Sequence, residues 1–176
     1  MPQVILTGFM ATGKTEVGRR LARRLGRPFI DVDGLVEASA GCTVAGIFAT
    51  EGEARFRERE RAAVVEACRV PDAVVATGGG TMLDAENRRR LAAAGPIVCL
   101  AAPAEEILRR VGDPTSRPVL ANGSANGSAG GDRLARIRTL LAERAPVYAL
   151  STHTVDTAGL GVDQVVERVH ALVAGR

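Results

Sequence analysis

Tryptophan is missing from this 176-residue chain, which carries one tyrosine and four phenylalanines. So few rings exclude an aromatic platform for single-stranded nucleic acid and leave the core to Ala, Val, Leu and Ile. Cysteine is also scarce: Cys42, Cys68 and Cys99 are irregularly spaced, odd in number and without a CxxC pair. That argues against a disulfide framework and against a zinc site, and the three read as reduced structural thiols. No apolar run approaches the roughly 18 residues of a membrane span. The chain passes from Met1 straight into Val4-Ile5-Leu6 without a basic leader or a cleavable apolar segment, so a cytoplasmic protein is expected, without membrane attachment. Neither sign of charge dominates, at 23 basic against 20 acidic residues for a net of +3, a slight bias toward acidic small ligands that decides nothing alone. Arg19, Arg20, Arg23 and Arg24 read as the solvated face of a helix rather than a nucleic-acid patch, and no nucleic-acid partner is expected. His153 and His170 have no ligand partner near them in sequence.

An apolar share of 46% is too high for a disordered chain, and the length suits one domain with a real core. Short β-branched runs at Gln3 to Thr7, Phe29 to Asp33, Ala73 to Thr77, Ile97 to Leu100 and Thr152 to Asp156 read as strands. Between them lie residues at helical period: Val17, Leu21 and Leu25; Leu134, Ile137 and Leu141; Val162, Val165, Val166, Val169 and Val173. This alternation predicts an α/β fold, a parallel sheet with helices on both faces and ligands at the carboxyl ends of its strands. One stretch, Ala121 to Gly131 (ANGSANGSAGG), fits neither pattern. It reads either as a flexible linker or as part of an active-site lid, and its place just after Arg117-Pro118 favours the lid.

The strongest motif is Gly8-Phe9-Met10-Ala11-Thr12-Gly13-Lys14-Thr15, which matches GxxxxGK[ST] between an apolar strand and a helical segment. Its glycines allow backbone N–H groups to face phosphates, and the helix beginning near Lys14 offers its positive end. Lys14 reaches the β- and γ-phosphates, and Thr15 supplies a hydroxyl to Mg²⁺. The nucleotide side is thus Ala11, Thr12, Gly13, Lys14, Thr15 and Glu16.

Nucleotide binding alone does not separate a kinase from a GTPase or an ATP-driven machine. Asp31 and Asp33 end the second expected strand, where a period of two sends both carboxylates to one side. One can hold a metal through water while the other orients or deprotonates an attacking hydroxyl; the alternative is a turn in which Asp33 caps a helix starting near Gly34. Gly78-Gly79-Gly80 follow the third strand and expose backbone where a ligand should lie, although a tight turn is the other reading. Arg57 sits in a heavily charged helix, and composition alone places it on the surface. The same holds for Arg144, except that Pro146 ends or bends the helix there and can aim Arg144 inward. Arginine suits a carboxylate because its planar fork meets both oxygens. Arg117 reads as a solvated loop residue, or as a lid cation that neutralises charge on a transferring phosphoryl group.

In order, the P-loop, Asp31-Val32-Asp33, Glu51-Gly52-Glu53 with Phe56-Arg57-x-x-Glu60, Thr77-Gly78-Gly79-Gly80, Arg117-Pro118 and Arg144-x-Pro146-x-Tyr148 resemble the shikimate kinase family from Val4 to about Asp156. The resemblance implies a single three-layer α/β/α domain, like nucleoside monophosphate kinases, with sheet order 2-3-1-4-5. It places a substrate region about residues 33 to 61 and a lid about 112 to 131. It implies a monomer that moves the γ-phosphoryl group of ATP, with Mg²⁺, to the 3-hydroxyl of shikimate on the route to chorismate. By the same resemblance Lys14, Asp33 and Arg117 are catalytic, with Asp33 as base. Thr15 and Asp31 serve the metal, the latter through water. Arg57 and Arg144 clamp the shikimate carboxylate, Gly79, flanked by Gly78 and Gly80, touches the ring hydroxyls, and Arg110 stacks near adenine. The chain departs from the family at Ala11, where many members have glycine, in the composition of the lid tract, and in lacking a basic residue from Ala158 to Val162.

A gluconate kinase of the same fold would share the P-loop and lid but need not carry Arg57 and Arg144. A nucleotide-binding regulator without turnover is disfavoured by Lys14, Asp33 and Arg117. A GTPase is disfavoured because no NKxD motif is present.

Overall fold

The structure is a computed structural model that describes residues 1–111 and 131–174. Five strands, β1 (Val4–Gly8), β2 (Phe29–Asp31), β3 (Val74–Ala76), β4 (Ile97–Ala101) and β5 (His153–Asp156), pair in parallel in the order β2-β3-β1-β4-β5. The helices among the described residues are α1 (Lys14–Leu25), α2 (Val32–Ala40), α3 (Val44–Thr50), α4 (Gly52–Cys68), α5 (Ala85–Ala94), α6 (Ala104–Val111), α7 (Gly131–Tyr148) and α8 (Val162–Val173).

Alternation along β1 explains the layers. Val4 and Leu6 face α1 and α8, where Val17, Leu21, Val165 and Val169 close one core; Ile5 faces the opposite way into a second core with Val36, Ile47, Val64 and Leu91. A third, smaller cluster at the carboxyl edge joins Phe9 and Met10 of the phosphate loop to Ile107 of α6 and Ile137 and Leu140 of α7. The loop therefore rests on packed side chains rather than on solvent. All three cysteines are free thiols. Among the described residues no single helix is long and apolar enough to cross a membrane.

Two local expectations change. Strand β2 stops at Asp31, not Asp33, because the Asp31 side chain accepts from the N–H groups of Asp33 and Gly34 and so caps a helix that begins at Val32. Asp33 thus stands in the first turn of α2, and alternation along a strand is not what brings it beside Asp31. Pro146 lies inside α7, which continues to Tyr148 instead of ending there. The expected lid residues 112–130, with Arg117, lie outside the described residues.

Gly8 ends β1 against the backbone of β4. Its φ is +133°, and a Cβ there would come 2.2 Å from the Leu100 carbonyl oxygen. Gly8→Ala combines a disfavoured backbone angle with an immovable neighbour and should cost about 3 kcal/mol of stability in urea unfolding. A loss under about 1 kcal/mol would show that the strand end can part from β4 freely.

Candidate active site

Strands β1, β2 and β3 deliver their carboxyl ends to one cleft of about 350 Å³, lined by Met10, Gly13, Lys14, Thr15, Asp31, Asp33 and Thr77 to Gly79 among others. On its phosphate side, α1 starts at Lys14 after Gly13 (φ 91°) with no side chain capping its first turn. Uncapped N–H groups and the helix dipole make this end a receptor for an anion. The Lys14 ammonium is buried and donates to the Gly8 carbonyl at 2.9 Å and to the Phe9 carbonyl at 2.7 Å, so the cation lies within the loop it serves. Ala11 adopts φ 59°, a left-handed conformation that favours glycine, at the position where glycine is common in the family that the chain resembles. Thr12 is held to the Phe9 carbonyl at 2.8 Å, and Glu16 pairs with Arg20 on the outer face of α1.

Thr15 Oγ1 donates to Asp31 Oδ2 at 2.8 Å. A hydroxyl and one carboxylate are a hard-oxygen pair of the kind Mg²⁺ uses when phosphates and water complete its shell. Among the described residues no group of three His, Cys, Asp or Glu side chains converges to hold a metal by protein ligands alone. The residues present therefore fit a metal that arrives with phosphates.

Asp33 faces the same cleft from α2. Its Oδ1 is buried without a hydrogen-bond partner among the described residues. Burial, then the negative charges of Asp31 and Glu60, push its carboxyl up to about 6, with Lys14 opposing. A carboxylate poised there, with a free lone pair facing a phosphate site, can accept a proton from a hydroxyl near neutral pH.

Arg57 is held from two sides: it donates to Glu60 Oε2 at 2.8 Å and to Glu53 Oε1 at 3.2 Å. Glu60 is 1% exposed and accepts on its other oxygen from Thr81 Oγ1 at 2.7 Å. Arg144, 6% exposed, reaches from α7 over the Phe9 ring and donates to the Gly79 carbonyl at 3.1 Å. The glycine run has steric reasons. A Cβ on Gly78 would meet Asp33 Oδ1 at 2.7 Å, and one on Gly80 would meet the Arg57 guanidinium at 2.8 Å.

Arg110 is not in this cleft but beside a second hollow of about 460 Å³ lined by Ala11 to Gly13, Val17 and residues of the 157–162 loop. It donates to Glu106, to Thr157 Oγ1 at 2.9 Å and to the Thr157 carbonyl at 3.0 Å, which keeps its guanidinium against the loop that has no basic residue of its own. The structure thus brings Lys14, Thr15, Asp31, Asp33, Gly78 and Gly79 into one cleft, sets Arg57 against Gly80 and Arg144 against Gly79, and places Arg110 apart beside the second hollow.

Sequence reasoning passed over Glu60, Thr81 and Tyr148 as site residues. Glu60 carried a signal: it occupies the buried stripe of α4 with Phe56, Ala63, Val64 and Ala67. A carboxylate on an apolar helix face must be paired.

A P-loop at the end of β1, a carboxylate facing it and two anchored arginines beyond define a phosphotransferase of the small-molecule kinase class. Comparison with known proteins narrows the class. The family model for shikimate kinase matches residues 10–174. A shikimate kinase from Pelotomaculum thermopropionicum is 44% identical, covering 96% of this chain and 94% of that protein; one from Salinibacter ruber is 43% identical, covering 99% and 85%. The solved shikimate kinase of Acinetobacter baumannii, in complex with shikimate, superposes with a TM-score of 0.90 at 34% identity, covering 99% of this chain and 94% of that one. The chain belongs to the shikimate kinase family and is an ATP-dependent kinase.

The shifted carboxyl of Asp33 has a stability consequence. The unfolded chain ionises it near 3.8 and the folded chain near 6, so the folded state binds more protons between those values and stability falls as pH rises from about 4 to about 6. Asp33→Asn removes that charge without breaking a bond to Oδ1. Unfolding at pH 8 should show a gain of about 1 to 3 kcal/mol that vanishes at pH 4. An equal effect at both pH values would mean that Asp33 is not charged against its surroundings.

Proposed function

We propose that the protein phosphorylates shikimate, moving the γ-phosphoryl group of ATP to its 3-hydroxyl and releasing shikimate 3-phosphate and ADP. The observation that carries this reading is the pairing of Asp33, which faces the phosphate cleft with an unpartnered oxygen, with Arg57 and Arg144 held on either side of Gly79 and Gly80. A substrate with a hydroxyl at one end and a carboxylate at the other suits that arrangement. Gluconate also carries both groups, but on a flexible chain, whereas a rigid ring fixes the distance between hydroxyl and carboxylate that Asp33 and the two arginines set.

In this reading the N–H groups at the start of α1 and Lys14 bind the phosphates of ATP. Asp33 holds the acceptor hydroxyl at Oδ1 and takes its proton as the oxygen attacks phosphorus. Arg57 and Arg144 fix the carboxylate, and so the ring, at a distance from the reacting atom. Thr15 directly and Asp31 through water would hold Mg²⁺, which when bound neutralises charge on the β- and γ-phosphates. Arg110 lies against the adenine side. Arg117, outside the described residues, would complete the charge balance from the 112–131 segment acting as a lid, and residues 33 to 61 would form the substrate region of one kinase domain. The protein would act as a monomer in the cytoplasm.

The deciding assay is ADP release from Mg-ATP with shikimate, with gluconate and with no acceptor. Turnover with shikimate alone is expected, and turnover with gluconate alone would overturn shikimate as the acceptor. Asp33→Ala should keep ATP binding and lose most turnover, whereas Lys14→Ala should lose both. Arg57→Ala and Arg144→Ala should chiefly raise the shikimate KM, because a carboxylate contact remote from the reacting hydroxyl is made equally in ground and transition state. Unchanged shikimate affinity in both variants would remove the clamp.

A further inference from the structure

The Gly79 carbonyl receives two donors from one helix. Arg144 contributes an N–H at 3.1 Å and Tyr148, four residues further along α7, its hydroxyl at 2.6 Å. Residues four apart share a helix face, so both point to the same backbone oxygen. The Tyr148 ring lines an apolar hollow with Phe9, Cys99, Leu141 and Ala145. Burial pushes its hydroxyl up to about 12, so it stays a donor at any working pH.

The chain has no cis peptide bond among the described residues, and in a trans peptide the N–H points opposite to the carbonyl. With the Gly79 carbonyl turned toward α7, the N–H of Gly80 is turned away from α7. The same residue lies against the Arg57 guanidinium, 2.8 Å from where a Cβ would stand. Orientation of this one peptide therefore decides which backbone group is presented between the two arginines.

We propose that Tyr148 is a positioning residue for the acceptor: by holding the Gly79 carbonyl it fixes the Gly79–Gly80 peptide, and with it the backbone donor offered to a ring oxygen of the substrate. Of the two donors Tyr148 makes the shorter bond, 2.6 Å against 3.1 Å, and it leaves the remaining N–H groups of Arg144 to the substrate carboxylate. The proposal rests on the reading of the protein as a kinase of shikimate.

Tyr148→Phe keeps the ring and removes only the hydroxyl. The shikimate KM should rise about 3- to 10-fold, the range expected for one buried hydrogen bond, while the ATP KM stays constant and kcat falls less than about twofold. Leu141→Ala, which loosens the same apolar hollow without touching Gly79, should lower the melting temperature and leave the shikimate KM in place. A wild-type protein inactive with shikimate would defeat the proposed function itself. With an active wild type, an unchanged shikimate KM in Tyr148→Phe, a parallel rise in both KM values, or an equal rise in Leu141→Ala would overturn the role of Tyr148.

Discussion

Two carboxylates from different helices, Asp33 of α2 and Glu60 of α4, converge on the backbone of Gly78 so closely that a methyl group there would stand 2.7 Å from one and 3.3 Å from the other. Like charges brought this near, with little water between them, repel strongly, and the two groups resolve the conflict differently. Glu60 is fully paired, by Arg57 on one oxygen and Thr81 on the other. Asp33 has no such partner on Oδ1 and is pushed toward the protonated form instead. The site depends on this division. One acid anchors an arginine, the other is left basic enough to take a proton, and only a glycine fits between them.

The parallel sheet makes that convergence possible. The ends of β1, β2 and β3 lie side by side because β1 is paired with β3 and β3 with β2, with Leu6 and Asp31 each matched to Ala76. Helices that follow those strands must start at the same edge. The open N-terminus of α1 and the capped N-terminus of α2 are therefore neighbours, and Asp31, which caps α2, is the residue that also bonds to Thr15 of α1. A single carboxylate thus satisfies one helix and leaves the other for phosphate.

Much of this was legible in the sequence. The phosphate loop lies in the strand-turn-helix context that its spacing demands, and the sheet order follows from the family resemblance. Asp31 and Asp33 were legible as a pair but not in their geometry, because two acidic residues after a β-branched run read as strand when the first in fact caps a helix. Arg57 and Arg144 were invisible to composition, since one sits in a helix of alternating charge and the other beside a proline that does not stop its helix. What selects them is contact with residues distant in sequence, Thr81 through Glu60 for the first and Gly79 for the second. Tyr148 escaped for the same reason: its partner is 69 residues away.

The two arginines also show why a cation already paired within the protein remains able to bind a ligand. Arg57 spends N–H groups on Glu60 and Glu53, and Arg144 one on the Gly79 carbonyl. A guanidinium carries five donors in a fixed plane, so each keeps several for a ligand while its orientation is set by the protein. An ammonium with three rotating donors would be immobilised only by giving up most of them. Holding the fork in advance lowers the entropy cost of ordering a long side chain when any anion binds to it. The same logic places Glu60 in the core. Its burial is costly alone, but paired on both oxygens it fixes Arg57 more firmly than a surface carboxylate could.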